Sequence, residues 1–186
     1  GYGLLLIAFL GIWVLGTGSG VELVLRWVGI FFAAATAVYT AFLLGQSKGR
    51  DLWQNPLLPA HFLVQASVAG AAVLLLLGIP FVLPDSDMLW FRWALVVSLT
   101  GHLFLGISEL VMPHPTEEGA LSAKNMIYGA WAAHFWVGLV LSPISLAVVV
   151  FVPSDIGLAV GCFLALASPL LYEHAYIQAG QSLSLS

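Results

Sequence analysis

From Leu23 to Tyr172 the chain is a succession of uninterrupted apolar runs, separated by short stretches rich in Gly, Pro and charge. A helix rises 1.5 Å per residue, so a run of about 20 apolar residues crosses roughly 30 Å of hydrocarbon. Six runs are delimited in this way: Tyr2 to Leu15, ending at "GTGSG", then Leu23 to Leu44, Leu57 to Leu83, Leu89 to Met112, Met126 to Val152, and Ile156 to Tyr172. Their apolar residues are continuous rather than alternating, which disfavours a β-barrel. The expected fold is all-α, a polytopic transmembrane helix bundle forming one domain over residues 1–186.

Composition agrees. Hydrophobic residues make up 61% of the chain and charged residues 8%, with a mean hydropathy of +1.03; soluble domains carry about a quarter charged residues. Trp53, Trp90, Trp93, Tyr128, Trp131 and Tyr172 fall near the ends of apolar runs, as in the aromatic belts of membrane interfaces. The net charge of -4 is spread over short loops and points to no nucleic-acid partner. The single cysteine, Cys162, forms no internal disulfide and no Cys-ligated cluster within this chain. The P-loop and HExxH patterns are absent.

The first run is short for a crossing, and the chain opens "GYGLLLIAF" without an initiator Met or a signal-peptide n-region. At least one earlier helix is therefore expected. Because spans alternate sides, Lys48, Arg50 and Lys124 share one side with the C-terminus, whereas Arg26 and Arg92 lie towards the other. The positive-inside rule makes the first side cytoplasmic.

Ionisable groups inside a span are costly, so each is a functional candidate. His102 and Glu109 are seven residues apart on the fourth run and share a helical face with Ser98. Arg92 lies ten residues before His102, roughly a quarter turn off that face. Such a helix offers protons a stepped route between leaflets; equally, Glu109 near the helix end reaches interfacial water and Arg92 snorkels to the headgroups. The fifth run adds His134 and Tyr128, and an antiparallel packing of these two spans would bring Glu109, His114, Tyr128 and His134 into one polar region. For Tyr128 and His114 the simpler reading is interface decoration, for His61 a residue at the interfacial start of its helix, and for Glu173 and His174 solvation at a helix end. Pro143 and Pro169, each after a Ser, mark kinks whose freed carbonyls a hydroxyl or water can satisfy. His102 and His134, both at middle depth, also raise bis-histidine b-haem ligation as in a haem membrane anchor. A proton-coupled secondary transporter using His102 and Glu109 is the other rival, although no inverted repeat is evident.

Three stretches carry a resemblance. "VYTAFLLGQSKGRDLWQNPLLPAHFLVQASVAGAA" has a Tyr and paired Leu ending a helix, then a linker with Trp and Asn-Pro, then Leu-Pro, Phe and a small-residue helix; "SELVMPHPTEEGALSAKNMIYGAWAAHFW" has Glu, His-Pro-Thr, Gly and Phe-Trp; and "YEHAYIQAGQSLSLS" has Ala-Gly-Gln before Leu-Ser, with Ser184 where Pro is usual. In this order they resemble the NrfD family, the membrane subunits of polysulfide reductase and related complex iron–sulfur molybdoenzymes, including the quinol-oxidising subunits of alternative complex III. The resemblance implies six later spans of an eight-to-ten-helix protein, with residues 1–45 the second half of a first four-helix bundle and 57–178 the later helices. It also implies a prokaryotic inner (cytoplasmic) membrane location with a cytoplasmic C-terminus. The subunit would hold no redox centre of its own. It would exchange electrons between membrane quinone, with menaquinone the quinone expected, and a ferredoxin-like iron–sulfur subunit, which serves a molybdopterin or multihaem cytochrome partner. The quinone pocket is expected near the extracytoplasmic surface, where Trp13, Glu22, Arg26 and Trp27 are candidates by position; a Glu22 to Arg26 pairing at i,i+4 is the simpler account of those two. The candidate proton residues are His102, Glu109, His134, Arg92 and Tyr128.

Overall fold

The computed structural model describes residues 19–114 and 116–182. Trp13, the first expected span and the Glu22 side chain lie outside this description. The described elements are α1 (Ser19–Gly45), a 3-10 turn (Asp51–Gln54), α2 (Leu58–Phe81), α3 (Asp85–Val111), α4 (Glu117–Tyr128), α5 (Ala132–Phe151) and α6 (Asp155–Gln181), with no strand among them. All but α4 and the turn are long and apolar enough to cross a membrane. The chain is a multi-pass α-helical membrane protein.

Two element boundaries differ from the sequence reading. The fifth span begins at Ala132 rather than Met126, because residues 117–128 form a separate helix, α4. Thr116 caps it by accepting the Gly119 N–H at 3.1 Å, and Glu117 and Glu118 occupy its positive N-terminal turn. It ends where Asn125 Oδ1 turns to accept the Ala130 N–H at 3.0 Å, and a Cβ at Gly129 would collide with Asn125. The last span, expected to stop at Tyr172, continues to Gln181, since Ala175, Tyr176, Ala179 and Gly180 prolong its buried face beyond the polar pair Glu173 and His174.

α5 and α6 lie closest together. A Cβ at Gly138 would stand 2.7 Å from the Tyr172 nitrogen and 2.9 Å from the Ser168 carbonyl oxygen, so only glycine lets these backbones meet. Hydroxyls then bridge the pair: Ser142 and Ser168 are 2.7 Å apart, Ser168 donates to the Gly138 carbonyl at 2.7 Å, and Ser145 donates to the Gly161 carbonyl at 2.7 Å. The serines beside Pro143 and Pro169 thus join one helix to the other, where local repair of the kinks was expected.

The helix ends define two ends of the bundle. One carries Lys48, Arg50, the 3-10 turn and α4; the other carries the turns at Pro84 and Pro153. Towards the Pro84 end the core is Val68, Leu75, Leu95, Leu99, Val149 and Leu158 with their apolar neighbours. Towards the Lys48 end the core is aromatic, with Trp53, Phe135, Tyr172 and Tyr176, and it encloses the polar side chains of His61, His102 and Glu109.

Candidate functional site

The site begins at the polar linker. Asn55 follows the 3-10 turn and its side-chain oxygen accepts the Leu57 N–H at 2.9 Å, the turn geometry Asn favours before a helix. That bond aims the other half of the amide inward. Asn55 Nδ2 donates to Glu109 Oε1 at 2.6 Å, joining the linker to the last turn of α3.

Glu109 is 1% exposed. Its Oε1 also lies 3.7 Å from His61 Nε2, within ion-pair range but too long for a hydrogen bond, and its Oε2 has no protein partner among the described residues. His61, in the first turn of α2, stacks on Tyr172 of α6 with ring centroids 5.5 Å apart and planes at 9°. On α3, His102 meets the same Tyr172 edge-on at 5.3 Å. Tyr172 is therefore the hub between two imidazoles from different helices. Below it, Tyr176 donates its hydroxyl to the Leu52 carbonyl at 2.5 Å and so anchors the 3-10 turn, while Arg50 Nη1 donates to the Gly180 carbonyl at 3.0 Å.

Buried polar groups normally have partners, since an unpaired one costs about 1–3 kcal/mol. Here both nitrogens of His61 and of His102, the Tyr172 hydroxyl, Gln65 Oε1 and Glu109 Oε2 are buried without a protein partner among the described residues. Enclosed water could satisfy these atoms. A cavity of about 10 Å³, bounded by His61, Gln65, Tyr172, Glu173 and Tyr176, is the size of a single water site. On the far side of Asn55, a recess of about 310 Å³ opens between Asp51, Asn55, Pro56, Met112, His114 and Thr116. Asn55 lines the recess and holds the carboxylate, so it connects the surface to Glu109. Partial burial in this recess holds the His114 imidazole below its usual pKa.

Of the sequence candidates, the structure brings Glu109 and His102 into one cluster. It does not add the others. Arg92 is half-buried at the opposite end of α3, beyond Leu95 and Leu99. Tyr128 is 77% exposed at the end of α4, consistent with interface decoration. His134 packs on Trp131 and His174 in a separate group, so His102 and His134, the pair a bis-histidine haem would use, sit in different clusters. Arg26 and Trp27 are exposed on α1, the least covered of the spans. His61, read from sequence as an interfacial helix start, is 3% exposed beside Glu109. That reading is corrected: the linker folds over the helix end and encloses it. Asn55, Gln65, Tyr172 and Tyr176 also belong to the cluster. Their traces in the sequence are the four-residue spacings of His61 with Gln65 and of Tyr172 with Tyr176, each setting two polar groups on one helical face.

The family model described as NrfD, polysulphide reductase, matches residues 6–182. The chain belongs to the NrfD family. It is a membrane subunit of the polysulfide reductase type, and NrfD-family subunits generally partner with iron–sulfur and other redox subunits. No curated protein and no solved structure matches it.

Proposed function

We propose that this NrfD-family chain is a quinone-interacting subunit of a respiratory or photosynthetic electron-transfer complex. It passes electrons between the membrane quinone pool, with menaquinone the expected quinone, and an iron–sulfur subunit, which in turn serves a molybdopterin or multihaem cytochrome subunit. The complex resides in a prokaryotic inner membrane with the Lys48 end cytoplasmic. Quinone reacts towards the Pro84 end, where Arg26 and Trp27 are candidate contacts by position.

Quinol oxidation releases two protons with two electrons, and quinone reduction consumes them, so a proton route must accompany the chemistry. The observation that carries this reading is Glu109, a buried carboxylate with one oxygen held by Asn55 beside the recess and the other unpartnered among the described residues. The route runs from the recess past Asn55 to Glu109, and then by way of His61, Tyr172 and enclosed water to His102. Beyond His102 the buried lining among the described residues is mostly apolar, and its polar side chains are hydrogen-bonded serines: Ser98 on the His102 face of α3, and Ser142, Ser145 and Ser168 between α5 and α6. The cluster opens to the Lys48 end, and protons exchanged with quinone at the Pro84 end would pass Ser98, between Arg92 and His102 on α3, to reach it.

The test uses the intact complex in sealed vesicles, with the proton-to-electron ratio measured during quinone turnover. Glu109→Gln is expected to lower that ratio while leaving the subunit assembled, and His102→Ala to lower it too. Ratios equal to wild type in both variants would defeat the proton route. Copurification without an iron–sulfur subunit would defeat the electron-transfer assignment.

A further inference from the structure

Outside the Glu109 cluster, two imidazoles from different helices meet near the Lys48 end. His134 stands in the first turn of α5 and His174 in the last third of α6, with ring centroids 4.9 Å apart and planes at 48°. Trp131 covers a third side, its ring 6.1 Å from His134 and 5.6 Å from His174. Nδ1 of His134 is buried without a protein partner among the described residues, while His174 is exposed.

The spacing is fixed from below. One turn after His134, Gly138 presses on the backbone of Ser168 and Tyr172, and the Ser168 hydroxyl locks the contact at 2.7 Å. Two residues beyond Tyr172 comes His174. The rings are thus held by close backbone packing between two membrane helices.

We propose that His134 and His174 form a two-histidine site for a borderline divalent transition-metal ion, with Zn²⁺ the reference ion and water completing its shell. Zn–N bonds of about 2.0–2.1 Å, with about 1.2 Å from nitrogen to ring centre, put each centroid about 3.2 Å from the metal. Two such rings have centroids about 4.5 Å apart at a right angle of coordination and about 5.2 Å apart at the tetrahedral angle. The observed 4.9 Å falls between these. Neutral imidazoles suit Zn²⁺ and its neighbours in the transition series rather than Mg²⁺ or Ca²⁺, which take oxygen ligands. The described residues include no group of three or more His, Cys, Asp or Glu that could hold a metal, so this site binds through two protein ligands and keeps open positions. Because the ligands come from different helices, the ion clamps α5 to α6 and its binding stabilises the fold.

The full chain in detergent micelles, freed of metal by a chelator, is titrated with Zn²⁺ by calorimetry, and the loaded protein is examined by X-ray absorption at the zinc edge. One Zn²⁺ per chain with two imidazole ligands is expected. His174→Ala and His134→Ala should each weaken binding at least tenfold and abolish the zinc-dependent rise in the thermal unfolding midpoint, whereas His114→Ala should leave both unchanged. Because His174 is exposed, its variant is expected to keep the wild-type helical circular dichroism. The site is refuted by the absence of saturable binding below millimolar Zn²⁺, by a single imidazole in the absorption spectrum, or by wild-type affinity in His174→Ala.

Discussion

The two ends of the bundle are built from the same helices and bury opposite chemistry. Over α3 alone, Leu95 and Leu99 are fully enclosed by Val68, Leu75, Val149 and Leu158, whereas His102 and Glu109 are enclosed just as completely by Asn55, His61 and Tyr172. In lipid an unpaired polar group has no water to turn to. Ser98, the one polar side chain of α3 buried beside Leu95 and Leu99, donates back to the carbonyls of Ala94 and Leu95, whereas the nitrogens of His102 and Oε2 of Glu109 have no protein partner among the described residues. The dry half gives the fold its seal. The wet half holds the groups on which the proposed proton route rests.

The comparison is broken most severely by putting one polar side chain into each half. Leu99→Gln places an amide among apolar neighbours, leaving its hydrogen-bonding groups unpaired, and is expected to destabilise the protein by about 3 kcal/mol. Glu109→Gln changes the same helix ten residues further on but keeps an oxygen to accept from Asn55, and its expected cost is below about 1 kcal/mol. Denaturation of the two variants in mixed micelles, followed by circular dichroism, measures both. Equal losses would show that the halves do not differ in polarity.

How much of this contrast was legible in the sequence depends on the kind of contact that makes it. The spans were legible because apolar continuity is a local property, and His102 and Glu109 were legible because seven residues on one helix fix their shared face. Asn55 and His61 were not, since they reach Glu109 only because the linker after Gly45 folds back under α2. Tyr172 appeared to end a helix when it is the hub of the site, because the polar pair Glu173 and His174 masks a buried face that continues to Gly180. Helix α4 was hidden for a related reason: Met126, Ile127 and Tyr128 look continuous with the next span, and only the Asn125 and Gly129 geometry separates them.

A smaller effect sharpens the boundary between the wet half and the surface. Asn55→Ala removes the only side-chain hydrogen bond to Glu109 seen among the described residues and also the acceptor for the Leu57 N–H. A loss of about 1–3 kcal/mol is expected, because a buried carboxylate oxygen is left without its donor. Carbodiimide labelling of Glu109, followed by mass spectrometry, should also change in rate, since the residue between recess and carboxylate has been cut away. A labelling rate equal to wild type would separate the recess from Glu109.

A modest and local effect concerns what holds the wet half shut. Tyr176 donates to the Leu52 carbonyl across 124 positions of sequence, and Leu52 is 1% exposed in the turn that carries Trp53 towards Gly180. Tyr176→Phe keeps the ring stacked on Tyr172 and removes only the hydroxyl, so the expected loss is about 1 kcal/mol, the usual net value of one hydrogen bond. The turn should then open locally before the helices separate, and amide exchange at Leu52 and Trp53 should quicken while that at Leu95 and Leu99 stays unchanged. Uniform acceleration at both ends would mean that the two halves open as one unit, and that the wet half has no lid of its own.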